Sequence, residues 1–168
     1  IWQNNKNKNA RNKNINHRYK KYPTLQQTTH LNSAVYVGKT KHFKRTIYCS
    51  LFHQGEIIAI DKNSLEHKTV LKGLKHQHSI YLLKDKIIIS DTENKSIILA
   101  DKDLNKVKKI KINRMGWIQD STLLKNGNLL ISDPDNNRII EFNLRKNKVK
   151  SEKVFNKEWR VYQAKEIK

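Results

Sequence analysis

Three short segments of this chain open in the same way: His30-Leu31-Asn32-Ser33, His76-Gln77-His78-Ser79 and Ile118-Gln119-Asp120-Ser121. A fourth, Val161-Tyr162-Gln163-Ala164, follows them. The starts lie 46, 42 and 43 residues apart, a period of about 44. A unit of that length cannot bury an apolar face by itself, so successive copies must stack and share a core.

Strand signals recur at matching places inside the repeats. Each start leads into an apolar run at 34–37, 80–83 or 122–124. Lys86-Ile87-Ile88-Ile89-Ser90 stands in register with Asn128-Leu129-Leu130-Ile131-Ser132, and aspartate follows both, as Asp91 and Asp133. Polar turns come next, Thr92-Glu93-Asn94-Lys95 and Pro134-Asp135-Asn136-Asn137, rich in residues that bond to their own backbone or tolerate left-handed conformations. The two aspartates read as turn formers. Third strands follow at 96–100 and 138–142, and weaker fourth strands at 68–71, 107–112 and 149–155. The first repeat supplies 46–50 and 56–61, joined by what reads as a longer turn through Phe52, His53, Gln54 and Gly55. Four short strands per period of about 44 predict an all-β chain of β-propeller blades. The blades fall at 30–75, 76–117 and 118–160, with the start of a fourth at 161–168 and a basic Asn/Lys-rich lead at 1–28. That lead reads as the remnant of an earlier blade or as disordered.

The stretch at 125–142, with Asn126-Gly127-Asn128-Leu129-Leu130-Ile131-Ser132-Asp133 followed by Asn136-Asn137-Arg138-Ile139-Ile140-Glu141, resembles the blade pattern of NHL-like and arylsulfotransferase-like propellers. The first repeat, with its His30-Leu31-Asn32 and His78-Ser79 starts, is similar to an uncharacterised family of bacterial propellers. The resemblance covers 29–168 and implies a ring of about six blades. Three blades and part of a fourth then make a partial ring: a fragment of a longer chain, or one that self-associates to close. Ile1 in place of Met, and a C-terminus without cap or turn signal, point to a fragment as well. Blades of this kind serve binding scaffolds, lactonases and sulfotransferases alike, so the resemblance marks architecture more sharply than chemistry.

In a propeller the first strand of each blade lines the central channel. The alignment therefore stacks Asn32, His78, Asp120 and Gln163 as equivalent channel positions, with His30 and His76 forming a second tier. Amide, carboxylate and imidazole donors suit a divalent cation at Asn32, His78 and Asp120, calcium if oxygens dominate and zinc or iron if histidines do. Resemblance to calcium-dependent propeller lactonases implies a metal that polarises an ester carbonyl. Resemblance to arylsulfotransferase-like propellers implies His78 as the catalytic base or nucleophile of a group transfer. Against these stands a structural role, because polar residues at inner-strand starts satisfy backbone groups of the neighbouring blade. Trp117 and Trp159, 42 residues apart, read as packing between blades. His17, His42, His53 and His67 fall outside the channel positions.

The reading that weighs these together is a binding or scaffold module with a small-molecule or protein ligand at the channel mouth. A metal-assisted hydrolase or lactonase and a histidine-based transferase are the alternatives. Charge raises one more. The net charge is +20, and residues 1–55 hold eleven Lys/Arg and no acid. Trp2, Tyr19 and Tyr22 lie among those cations, a pattern that suits nucleic acid through phosphate neutralisation and base stacking. Lys, Asn and Ile supply 66 of 168 residues, so compositional bias explains the same charge and nucleic acid is not favoured. No apolar stretch reaches the roughly 18 residues of a membrane-spanning helix, and no signal segment is visible, which favours a cytoplasmic place. A single cysteine, Cys49, excludes a disulfide framework within one chain.

Overall fold

The structure is a computed structural model that describes residues 30–167. The lead at 1–28 lies outside the described residues. Twelve strands follow one another in three antiparallel sheets of four. The first blade is β1 (Leu31–Gly38), β2 (Thr46–Leu51), β3 (Glu56–Asp61) and β4 (His67–Leu71). The second is β5 (Ile80–Leu83), β6 (Lys86–Asp91), β7 (Ser96–Asp101) and β8 (Lys108–Lys111). The third is β9 (Asp120–Leu123), β10 (Leu129–Asp133), β11 (Arg138–Asn143) and β12 (Lys148–Val154). Each sheet pairs its strands in sequence order, so every connection within a blade is a hairpin. The chain is all-β and has the blade architecture of a propeller.

Burial explains why the sheets stack. The two middle strands of the second blade are near-continuous apolar runs, because a blade between two others is covered on both faces. Tyr48, Ile57 and Ala59 of the first blade pack on Ile80, Ile87, Ile89 and Ile98 of the second. The opposite face of the second blade, with Ile88, Ile97 and Ile110, packs on Leu129, Ile131, Ile140 and Phe142 of the third. Alternation along β6 sends Ile87 and Ile89 one way and Ile88 the other. Outer strands are polar: every residue of β12 is exposed, and β8 buries only Ile110.

Buried serines join the sheets. Ser50, Ser90 and Ser132 hold the same register position in β2, β6 and β10, and each reaches beyond its own sheet. Ser50 Oγ donates to the Gln77 carbonyl at 3.4 Å and Ser132 Oγ to the Tyr162 carbonyl at 2.8 Å. Ser90 Oγ pairs with Ser121 Oγ at 2.7 Å. Tyr162 therefore sits against the third blade as Gln77 sits against the first.

Candidate functional site

The hairpin between the second and third strands of every blade lies at the same end as the start of the inner strand, because β1, β5 and β9 run antiparallel to their neighbours. In blades two and three this end is held by a buried aspartate. Asp91 accepts hydrogen bonds from the Lys75 backbone amide at 2.8 Å, from Asn94 and from Ser96, and pairs with Lys109 at 2.9 Å. Asp133 accepts from the Trp117 amide at 2.9 Å and from Asn136 at 2.7 Å, and pairs with Arg138 at 3.0 Å. The aspartates do more than shape a turn: each clamps the chain where it enters the inner strand. Lys95 and Asn137 then adopt left-handed φ of 51° and 49°.

Blade one keeps the hairpin and drops the clamp. Its turn has the same length as the others, correcting the longer turn expected from the sequence, since β2 continues through Leu51. Leu51 occupies the aspartate position, Phe52 and His53 replace Thr92 and Glu93, and Gly55 takes the left-handed place at φ 64°. The anchoring role passes to Gln77. Its fully buried amide donates to the carbonyls of Leu51 at 2.8 Å and Glu56 at 3.0 Å.

Around Phe52 the fold gathers four imidazoles. His76 stacks on the Phe52 ring with centroids 4.3 Å apart and planes 9° from parallel. His30, His53 and His78 stand at 5.1, 5.0 and 5.2 Å from the same ring. His53 lies 5.9 Å from His30 and 6.0 Å from His76, and Trp117 meets His78 edge-on at 5.2 Å. His76 reaches this position with φ of 47°, a left-handed conformation uncommon outside glycine. Its Nδ1 contacts Glu93.

His78 is the most strongly conditioned of these groups. Its Nδ1 lies 3.0 Å from the His76 carbonyl and 3.0 Å from Thr92 Oγ1. The Thr92 hydroxyl donates its own proton to the Ile118 carbonyl at 2.7 Å, so both neighbours of Nδ1 are acceptors. That network assigns the proton to Nδ1 and leaves Nε2 as the lone-pair nitrogen. Burial, aided by the nearby His30 and His76, pushes the imidazole down to about 4, against the pull of the His76 carbonyl. At neutral pH the ring is uncharged. His30 is lowered too, by burial and then by His53, and its Nδ1 is buried without a hydrogen-bond partner among the described residues.

The six channel residues read from the sequence fall into separate groupings. His30, His76 and His78 come together around Phe52. Asp120 and Gln163 meet through Tyr81: Gln163 Nε2 donates to the Tyr81 hydroxyl at 2.7 Å, and that hydroxyl donates to Asp120 Oδ2 at 3.4 Å. Asp120 is 5% exposed, and its Oδ1 lacks a partner within hydrogen-bonding geometry among the described residues. Burial drives its carboxyl upward against the pull of the hydroxyls of Ser79 and Tyr81 and the amide of Gln163. Asn32 Nδ2 donates to the Gln77 carbonyl at 3.1 Å, the inter-blade role weighed for such positions. Asn32, His78 and Asp120 are thus each committed to different partners. Among the described residues, no group of three or more His, Cys, Asp or Glu side chains is placed to hold a metal ion.

Phe52 and His53 escape a reading of inner-strand starts because they belong to a hairpin, 23 residues or more ahead of His76 in sequence. The signal that marks them is the missing aspartate: of the three described hairpins that join a second strand to a third, the one without Asp at its head carries the rings.

No protein-family model and no curated protein matches the chain. Solved structures do. The chain is similar to a streptogramin B lyase structure, at 12% identity and a TM-score of 0.55, over 71% of this chain and 40% of that one. It is similar to virginiamycin B lyase from Staphylococcus aureus at 14% identity and a TM-score of 0.59, over 77% of this chain and 43% of that one. A catalytically inactive histidine-to-alanine variant of the same S. aureus enzyme, solved with Quinupristin, matches at 15% identity and a TM-score of 0.60, over 82% and 45%. The chain thus spans less than half the length of these structures. At such identities the likeness is one of fold, and it places the chain among β-propellers.

Proposed function

We propose that this chain is a ligand-binding propeller module whose site lies where the first two blades meet, at the imidazole cluster around Phe52. The observation that carries the reading is the departure of one hairpin from its two siblings. Where blades two and three place a clamping aspartate, blade one has Leu51, and the two residues after it are Phe52 and His53, beside His30, His76 and His78. The Phe52 ring, the uncharged His78 imidazole and the edge of Trp117 offer flat apolar surface, and His78 Nε2 offers one acceptor. That combination suits a small ligand with an aromatic or apolar body and a hydrogen-bond donor. The proposal includes a ring of about six blades of NHL-like or arylsulfotransferase-like type, after the motif at 125–142, completed by further chain or by self-association.

A second reading, proton transfer at the same nitrogen, is favoured by the protonation of Nδ1 rather than Nε2, which equips His78 as a general base. It agrees with the inactivity of a histidine variant in the S. aureus lyase.

Ligand-detected NMR with phenol and anisole tests the binding reading. Phenol should bind, anisole should bind far more weakly for want of a donor, and His78→Phe should abolish the difference while Asp120→Asn preserves it. Equal signals from both probes, or no effect of His78→Phe in a cooperatively folded variant, would make the cluster purely structural.

A further inference from the structure

A groove of about 810 Å³ opens at the end of the inner strands opposite the imidazole cluster. Its place follows from strand direction. β5 runs from Ile80 at the cluster end to the hairpin at Lys84 and Asp85, and β9 runs alongside toward Lys125. Tyr81 and Leu83, two residues apart on β5, face one way and line the groove together with Leu124. The Tyr81 hydroxyl is already engaged by Gln163 and Asp120, so the surface it adds is its ring.

The rim differs sharply from the floor. Lys84, Lys86, Lys125 and Lys165 stand around it. Two carboxylates accompany them, Asp85 and Glu166. Glu166 accepts a hydrogen bond from the Lys125 backbone amide at 3.0 Å, which ties the terminal segment along one side of the groove. Four cations therefore face two anions, one of which is engaged by backbone. A ligand that gains from both regions has an apolar body to leave water and an anionic head to remain at the wet, cationic edge. Protein from this chain is a poor occupant. A second copy would bring a net charge of +20 and the same lysine rim, and residues 1–55 contain no acid.

We propose that this groove binds a single-chain amphiphilic anion, its apolar body between Tyr81 and Leu124 and its head among Lys84, Lys125 and Lys165. The site is independent of the imidazole cluster and would hold even if that cluster bound nothing.

Isothermal titration of the whole chain with decanoate, decanol and acetate at one ionic strength reads the proposal directly. Decanoate should bind one per chain, with decanol and acetate each weaker by roughly tenfold or more. The double variant Lys84→Gln/Lys125→Gln should weaken decanoate about tenfold and leave decanol unchanged. Leu83→Gln, at a position 39% exposed and so tolerant of a polar side chain, should weaken both alkyl probes. Decanol binding as tightly as decanoate would reduce the groove to an apolar sink, and acetate matching decanoate would reduce it to unspecific charge. Decanoate affinity unmoved by both variants would place its binding elsewhere. Each of these three results overturns the proposal.

Discussion

His78 shows how one side chain can be set by its surroundings. Buried beside two other imidazoles and donating through Nδ1, it stays neutral until about pH 4, whereas the same ring in an unfolded chain titrates near 6.5. Between those values the unfolded chain binds a proton that the folded chain refuses. Stability therefore falls as pH drops through this window and has no further dependence on His78 below it. Urea unfolding at pH 6.5 and pH 4 should show the wild type losing on the order of 1–3 kcal/mol more than His78→Gln, which cannot titrate. Equal losses would mean that the ring is already charged in the folded protein. Asp120 acts in the opposite sense, since its raised carboxyl favours the folded state at acid pH and gives that advantage up as pH rises. The difference between wild type and the His78 variant removes that contribution.

Within the hairpins, the left-handed position is a property of the repeat and its glycine a property of blade one. Gly55, Lys95 and Asn137 all have positive φ, and the carbonyl of each accepts a hydrogen bond from a backbone amide just beyond the outer strand, that of Leu74, Ile112 or Phe155. Lysine and asparagine fit in two blades because there is room for a side chain. In blade one a Cβ at residue 55 would stand 2.1 Å from the Leu74 carbonyl oxygen, whereas at Gly73 it would meet nothing within 4 Å. Both glycines are left-handed, so the pair separates backbone strain from collision. Gly73→Ala should cost about 1 kcal/mol and Gly55→Ala about 2–3 kcal/mol. Thermal unfolding of the two variants checks the order, and equal costs would show that Leu74 yields freely.

The strands themselves were legible, because period-2 alternation and bare apolar runs are local signals. So was the repeat, although the register sets Asp120 opposite Ser132 as Ser33 stands opposite Ser50, so that Asp120 answers to Ser33 and not to Asn32. What escaped is what depends on two repeats meeting. Nothing local to Phe52 or His53 says that this hairpin faces His76. Nor does the sequence say which partners Asn32, His78 and Asp120 find: Asn32 bonds the Gln77 carbonyl, His78 the Thr92 hydroxyl and Asp120 the Tyr81 hydroxyl. Asp91 and Asp133 were recognisable as turn residues, yet their bonds to the amides of Lys75 and Trp117 link positions 16 residues apart and need the folded sheet.

For the molecule as a whole, positive charge is what the fold leaves most plainly uncompensated. Lysines crowd the outer strands, Lys108, Lys109 and Lys111 on β8 and Lys148, Lys150 and Lys153 on β12, where an open sheet edge would otherwise recruit other strands. The same charge repels itself across the chain. Added sodium chloride should screen that repulsion and raise stability by about 1 kcal/mol, or about 2–4 °C in Tm, in scans at low and moderate salt. A Tm that falls instead would show that pairs such as Lys109 with Asp91 outweigh the repulsion.

The serines at the blade junctions have a consequence of another kind. What links one sheet to the next is a hydroxyl carried on the second strand of one repeat and a partner carried at the start of its successor, Ser50 to Gln77 and Ser90 to Ser121. Any tandem duplication of one full period copies both halves of the joint together. Such a gene can gain or lose a blade without inventing a new interface, and the number of blades becomes something lineages can change in a single recombination event.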